Sequence, residues 1–178
     1  MSVLDRTPQN TSIQQVSKYI LTIKKIPNVV FYCQTVNIPG ITLNSLSRET
    51  ALLNLKIPGN KLVYDKLQLE FLVDEDFKAW TELYNWFKSI AAPKTFTDRN
   101  QLTGLQKQID VNQKGYTYYS DATLTILSNL NNPQNRIVFT DIFPIALSSL
   151  NFDTKQGADS VLTASVTFDY SYFDITTA

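Results

Sequence analysis

The chain has no histidine and a single cysteine, Cys33. Those two counts remove most catalytic chemistry. Without histidine there is no Ser-His-Asp or Cys-His nucleophile system, no His-ligated zinc and no imidazole base. Cys33 lies in a β-branched and aromatic run with no basic neighbour to hold a thiolate, so it reads as a small buried hydrophobe. The densest acidic group, Asp74-Glu75-Asp76, stands just before a helical pattern. Carboxylates there cap free N–H groups and suit the helix dipole, which is use enough for them. A serine nucleophile would need a lysine base, and no S-x-x-K run occurs. The five glycines form no phosphate-binding loop. The expectation is a protein that is not an enzyme and has no cofactor and no metal site.

One binding chemistry stays open on these residues. Tyr116, Tyr118 and Tyr119, with Trp80 or Trp86, would form an aromatic platform in a monomeric carbohydrate-binding β-sandwich. Both tryptophans fall in the helical pattern rather than on a strand face, which counts against it.

The scaffold for any site follows from composition and period. The 178 residues suit one domain. Lys plus Arg and Asp plus Glu are both 16, so the net charge is zero and no basic surplus points to nucleic-acid binding. Only 18% of residues are charged, which favours association. No apolar run is long enough to span a membrane, and the first residues lack the apolar stretch of a signal peptide.

Residues 1–16 read as a flexible N-terminal arm and residues 17–178 as one β domain. Tyr19, Leu21 and Ile23 alternate, Pro27-Asn28 marks a turn, and Val29–Ile38 is strand-like, so a hairpin is expected there. Pro39-Gly40 and Pro58-Gly59 bracket a long excursion, the arm at 39–63. Its leucines and isoleucines need a covering surface, in this domain or in another subunit. Leu67, Leu69, Phe71 and Val73 define a clear strand. A helix at about 75–91 carries Phe77, Trp80, Leu83, Tyr84, Phe87 and Ile90 on one stripe and ends before Pro93. Residues 94–120 read as a loop region. Strands follow at Ala122–Leu127 and Arg136–Phe143, with Pro144 and a further run after it, and then a long one over Ser160–Phe173. About seven strands and one helix predict a mainly β (α+β) fold, an antiparallel sandwich or barrel with one flanking amphipathic helix. The last strand's outer face is Thr163, Ser165, Thr167, Asp169 and Ser171. Small neutral hydroxyls make a poor glue, as suits either an ordinary solvated face or a surface past which DNA slides.

Four segments together carry a family resemblance: F-Y-C-Q-T-V-N-I-P-G-I at 31–41, the run from Gly59 to Phe87, F-P-I-A-L-S-S-L-N-F-D at 143–153 and V-T-F-D-Y-S-Y-F at 166–173. In order and spacing they resemble the tail tube proteins of T4-like contractile bacteriophages. The resemblance implies hexameric rings stacked into the hollow tube of the virion tail, through which DNA passes without specific binding. It also implies assembly in the host bacterial cytoplasm, with the tail sheath protein and a baseplate tube-initiating ring as partners. A baseplate initiator or tail terminator ring of the same fold is the alternative. On this reading Ile41, Leu43, Leu46, Leu52, Leu53 and Leu55 of the arm meet neighbouring subunits. Thr163, Ser165, Thr167, Asp169 and Ser171 then face the lumen.

Overall fold

The computed structural model describes residues 13–50, 52–91, 118–153, 155, 157 and 160–177. Among them are nine strands and two helices. Seven strands form one antiparallel sheet and two form a separate hairpin. The main sheet comprises β1 (Tyr19–Ile23), β2 (Cys33–Val36), β5 (Leu67–Leu72), β6 (Ser120–Leu127), β7 (Pro133–Leu147), β8 (Thr163–Asp169) and β9 (Tyr172–Thr177). Its order is β1-β6-β7-β8-β5-β2, with β9 added alongside β7. The mainly β class, the antiparallel pairing and the seven-stranded sheet agree with the sequence reading.

The sheet curls over one core until its two edges, β1 and β2, face each other across a groove. The Tyr19 hydroxyl bridges that seam, donating to the Gln34 carbonyl at 2.7 Å and lying 3.9 Å from Cys33 Sγ. Cys33 is half-buried, and burial pushes its thiol up, so it has no thiolate character to offer.

The expected hairpin between Tyr19 and Ile38 is absent. β1 pairs with β6 and β2 with β5, at opposite ends of the sheet. Between them runs α1 (Pro27–Phe31), with Pro27 in its first turn, where a missing N–H costs nothing. Ile26 and Val29, three apart, are fully buried. A carboxylate from the other helix completes the turn: Glu82 accepts from the Asn28 backbone at 3.1 Å and from its side-chain amide at 2.6 Å. Tertiary packing thus makes a helix of residues whose own preference is for strand.

The second helix, α2 (Lys78–Ala91), starts later than expected. Asp74 caps it, accepting from Lys78 N at 3.0 Å and Ala79 N at 2.9 Å, while Phe77 takes a left-handed φ of 58°. Its buried stripe is also rotated from the expected one. Ala79, Leu83, Trp86 and Ser89 face the core, and Tyr84 is exposed. The spacing of aromatics suggested the other stripe, but Trp86 packs against Phe168 at 5.9 Å and its indole N–H reaches the Tyr118 carbonyl at 2.9 Å. Trp80 instead stacks on Tyr84, with centroids 5.5 Å apart.

The long terminal strand is broken. β7 continues through Pro144 and bends at Asp141, where φ is 57°. Asn135–Thr140 pairs with β9 and Phe143–Leu147 with β8. Alternation therefore slips between Tyr170 and Phe173: both are buried, and Tyr172, expected inside, is exposed.

Two stability changes follow. Trp86→Ala should lower unfolding free energy by roughly 3–5 kcal/mol in a denaturant titration. Asp74→Ala should cost about 1 kcal/mol through the lost cap. Desolvation raises the Asp74 carboxyl, but the N–H bonds from Ala79 and Lys78 outweigh it and hold it below its ordinary value. Its stabilisation is complete above the ordinary carboxylate range and is lost as pH falls through the lowered folded value. The gap between wild type and Asp74→Ala should therefore close in acid.

Candidate assembly interface

The largest unpartnered feature is the hairpin of β3 (Ile41–Glu49) and β4 (Asn54–Tyr64). The excursion with no clear strand period is thus two long strands that pair only with each other. Every residue of β3 is exposed. The six arm residues singled out from sequence are all here and all exposed: Ile41, Leu43, Leu46, Leu52, Leu53 and Leu55, with Leu52 at 97%. Ile57, Leu62 and Val63 extend the surface and were not singled out. Ile57 and Val63 are in phase with Leu55, so a strand period across 54–64 would have found them, while Leu62 is out of that phase.

Cross-strand pairing sorts the outer half of the hairpin into two faces. Leu46 pairs with Ile57 and Arg48 with Leu55, so these four share one side. Ser45, Ser47, Glu49, Asn54, Lys56 and Pro58 share the other. Among the described residues nothing covers this apolar side, and an exposed apolar face of this size marks a candidate contact surface. Midway, the register slips opposite Asn44. There Gly59 is obligatory, because a Cβ would stand 2.4 Å from the Asn44 carbonyl oxygen.

The root is held tightly. Tyr64 packs on Phe173 at 5.4 Å and on Tyr170 at 6.1 Å, and Phe139 completes the cluster. The Tyr170 hydroxyl donates to the Asp65 carbonyl at 2.7 Å, and Asp65 N donates to the Gly40 carbonyl at 3.0 Å. Asn37 closes the other side, with its side-chain oxygen accepting from Gln68 N at 2.6 Å and its amide donating to the Lys66 carbonyl at 3.1 Å. Burial pushes the Tyr170 phenol up to about 12, helped by the charges of Asp169 and Asp65.

The second candidate surface is the outer face of β8. Thr163 and Ser165 are exposed, and Thr167 is half-buried. They continue across the sheet to Gln68, Glu70 and Thr35. Glu70 is that run's charged member, and Lys66 stands just before it. Asp169 and Ser171 lie at the end of this face, beside the β7 bend. With Tyr119, Asp141, Phe143 and Tyr170 they line a pocket of about 430 Å³.

The aromatic platform does not come together. Trp86 is buried under the Lys25 ammonium, 5.2 Å from its ring. Tyr118 serves Trp86 through its carbonyl, and Tyr119 packs on Phe143. Tyr116 lies outside the described residues, as do residues 1–12 of the N-terminal arm and most of the 94–120 region. Of that arm, Gln14 donates to the Leu127 carbonyl at 2.8 Å. No group of acids or cysteine among the described residues could hold a metal ion, and no described helix is long and apolar enough to cross a membrane.

A sequence model of phage tail tube proteins matches residues 6–176. The chain belongs to the phage tail tube protein family. A tail tube terminator protein of Enterobacteria phage T4 is 28% identical over 149 residues, which cover 80% of this chain and 75% of that one. In structure the chain is similar to the tube-terminating cap of the anti-feeding prophage, with a TM-score of 0.59 and 15% identity over all of both chains. It is similar too to a chain of the PVC extracellular contractile injection system's sheath-tube complex, with a TM-score of 0.56 and 16% identity over 94% of each chain. At these identities the structural likeness is one of fold. A tail tube protein is a structural part of the phage tail, and membership in this family argues against catalysis.

The Tyr19 phenol, like that of Tyr170, is pushed up to about 12, first by burial and then by Cys33. In an absorbance titration, Tyr19→Phe and Tyr170→Phe should each remove signal from the last phase, beyond the range of ordinary tyrosines. Loss from the earlier phase would mean that the seam or the hairpin root is open.

Proposed function

We propose that this chain forms a hexameric ring that ends the tail tube. The single observation that carries this is the similarity to the T4 tail tube terminator along four-fifths of the chain. The hairpin supports the ring itself. It is a long apolar arm with no partner among the described residues, and a closed ring gives such arms and sheet edges a finite set of neighbours. Ile41, Leu43, Leu46, Leu52, Leu53 and Leu55 are the residues this reading buries between subunits or against the adjoining ring.

The channel is lined by the outer face carrying Thr163, Ser165 and Thr167, with Asp169 and Ser171 at its rim. Phosphates bind Lys and Arg strongly through counterion release, so a wall of hydroxyls with few cations lets DNA pass without holding it. The tube below and the sheath around it are the contacts that the position demands, and assembly takes place in the host cytoplasm. An initiating ring at the baseplate would use the same surfaces at the other end of the tail.

Position and copy number test the reading. Gold-labelled antibody should mark one end of the tail, distal to the baseplate, and mass spectrometry should find about one ring of copies per tail. Label along the whole length, with copies in proportion to sheath, would make this the main tube protein. Label at the baseplate would make it the initiator.

The arm has its own test. Leu52→Asp with Leu53→Asp should leave the protomer's melting curve unchanged, because both side chains are exposed. Rings of the double variant should fail to stack on the tube in electron micrographs. Normal stacking would take the tip out of the interface.

A further inference from the structure

The hairpin's apolar side carries one charge, Arg48, flanked by Leu46 and facing Leu55 across the strand pair. Among the described residues Arg48 has no carboxylate within ion-pair distance. The pocket at the β7 bend has the opposite make-up. Asp141 and Asp169 stand in it beside the aromatic rings of Tyr119 and Phe143, whose centroids are 5.7 Å apart. Among the described residues no lysine or arginine lines it. Among the described residues its carboxylates accept from two donors, Ser171 Oγ to Asp141 at 3.5 Å and Tyr170 N to Asp169 at 3.1 Å. A planar cation suits such a place, pairing with the carboxylates while its stem and neighbours cover the rings.

The same copy's Arg48 cannot be the occupant. Tyr170 lines the pocket and also packs on Tyr64 at the hairpin root. Leu55, the cross-strand partner of Arg48, lies nine residues further out along β4. At the rise of an extended strand that is roughly 30 Å from the root. The arm and the pocket are therefore two different, complementary surfaces on one chain that only two copies can bring together. A head-to-tail contact of this kind is what closes a ring of more than two identical subunits.

We propose that Arg48 of one copy seats between Asp141 and Asp169 of the next, with Leu46, Leu55 and Ile57 covering Tyr119 and Phe143. This rests on the ring reading above and names the contact that makes the ring. The pairing sets register as well as adhesion. An apolar hairpin can slide along an apolar surface, whereas one buried cation opposite two carboxylates has one position.

Charge reversal tests it on the purified full-length chain, with rings counted by sedimentation velocity and negative-stain microscopy. R48E and D169R should each lower the ring fraction about tenfold or more, and the double variant R48E/D169R should regain rings. Melting curves check that each variant is folded. If D169R does not fold, Ser171→Arg puts a cation in the pocket without removing an acid and should abolish rings in the same way. Singles that form rings like wild type, or a double variant no better than its singles while folded, would overturn the pairing and leave the ring reading standing. Wild type that makes no ring, alone or on tail ends, would overturn the ring reading and this contact with it.

Discussion

The break between β8 and β9 is the feature on which the other surfaces depend. Because β7 bends at Asp141, two strands share its length, and the two residues between them leave the ladder. That places Tyr170 where its ring joins Phe139, Phe173 and Tyr64 while its hydroxyl takes the Asp65 carbonyl. One side chain then ties the end of the sheet to the root of the hairpin. The same bend opens the pocket beside Asp169 and ends the run of hydroxyls along β8. Arm, pocket and polar face are thus held in fixed relation by one aromatic cluster and one irregular turn. An unbroken strand would have left the hairpin root without its anchor.

Regular elements were legible in the sequence and irregular ones were not. β5 and β6 alternate cleanly, and their buried residues are those the period picks out. β8 does the same as far as Tyr170. Beyond it the alternation runs on in the sequence, Tyr170 and then Tyr172, and only the pairing with β7 shows that Phe173 takes the inside place. α1 was hidden for a related reason. Val29, Val30 and Phe31 prefer strands, and what makes them helical is Glu82, fifty-four positions from Asn28. In α2, spacing puts Trp80 on the apolar stripe and leaves Trp86 off it, whereas the fold buries Trp86. Contact with Phe168 and the Tyr118 carbonyl distinguishes them, and both partners are distant in sequence.

The arm shows what composition can say without geometry. Its leucines stand out as apolar residues in need of cover, and all remain exposed in the fold. The sequence could not show that Arg48 shares a side with Leu46, Leu55 and Ile57, since that follows from register across the hairpin. Nor could it join Asp141 and Asp169, which lie on different strands. A site made by pairing two strands is invisible to any reading along one of them.

Rigidity at the root bears on how strongly such an arm can bind. A hairpin with one free end loses conformational freedom when it docks, and that loss subtracts from whatever area it buries. Here the root carries hydrogen bonds from Asn37, Asp65 and Tyr170 and the aromatic contacts of Tyr64. The register slip at Gly59 then fixes how the outer half twists away from the inner. An arm held at both points reaches its partner with its apolar side already turned, so little ordering remains to be done on contact. The tip, where Leu52 is almost wholly exposed, is the part left to adapt. On the ring reading, such a division lets the arm dock while the core, held by its own contacts, stays unchanged.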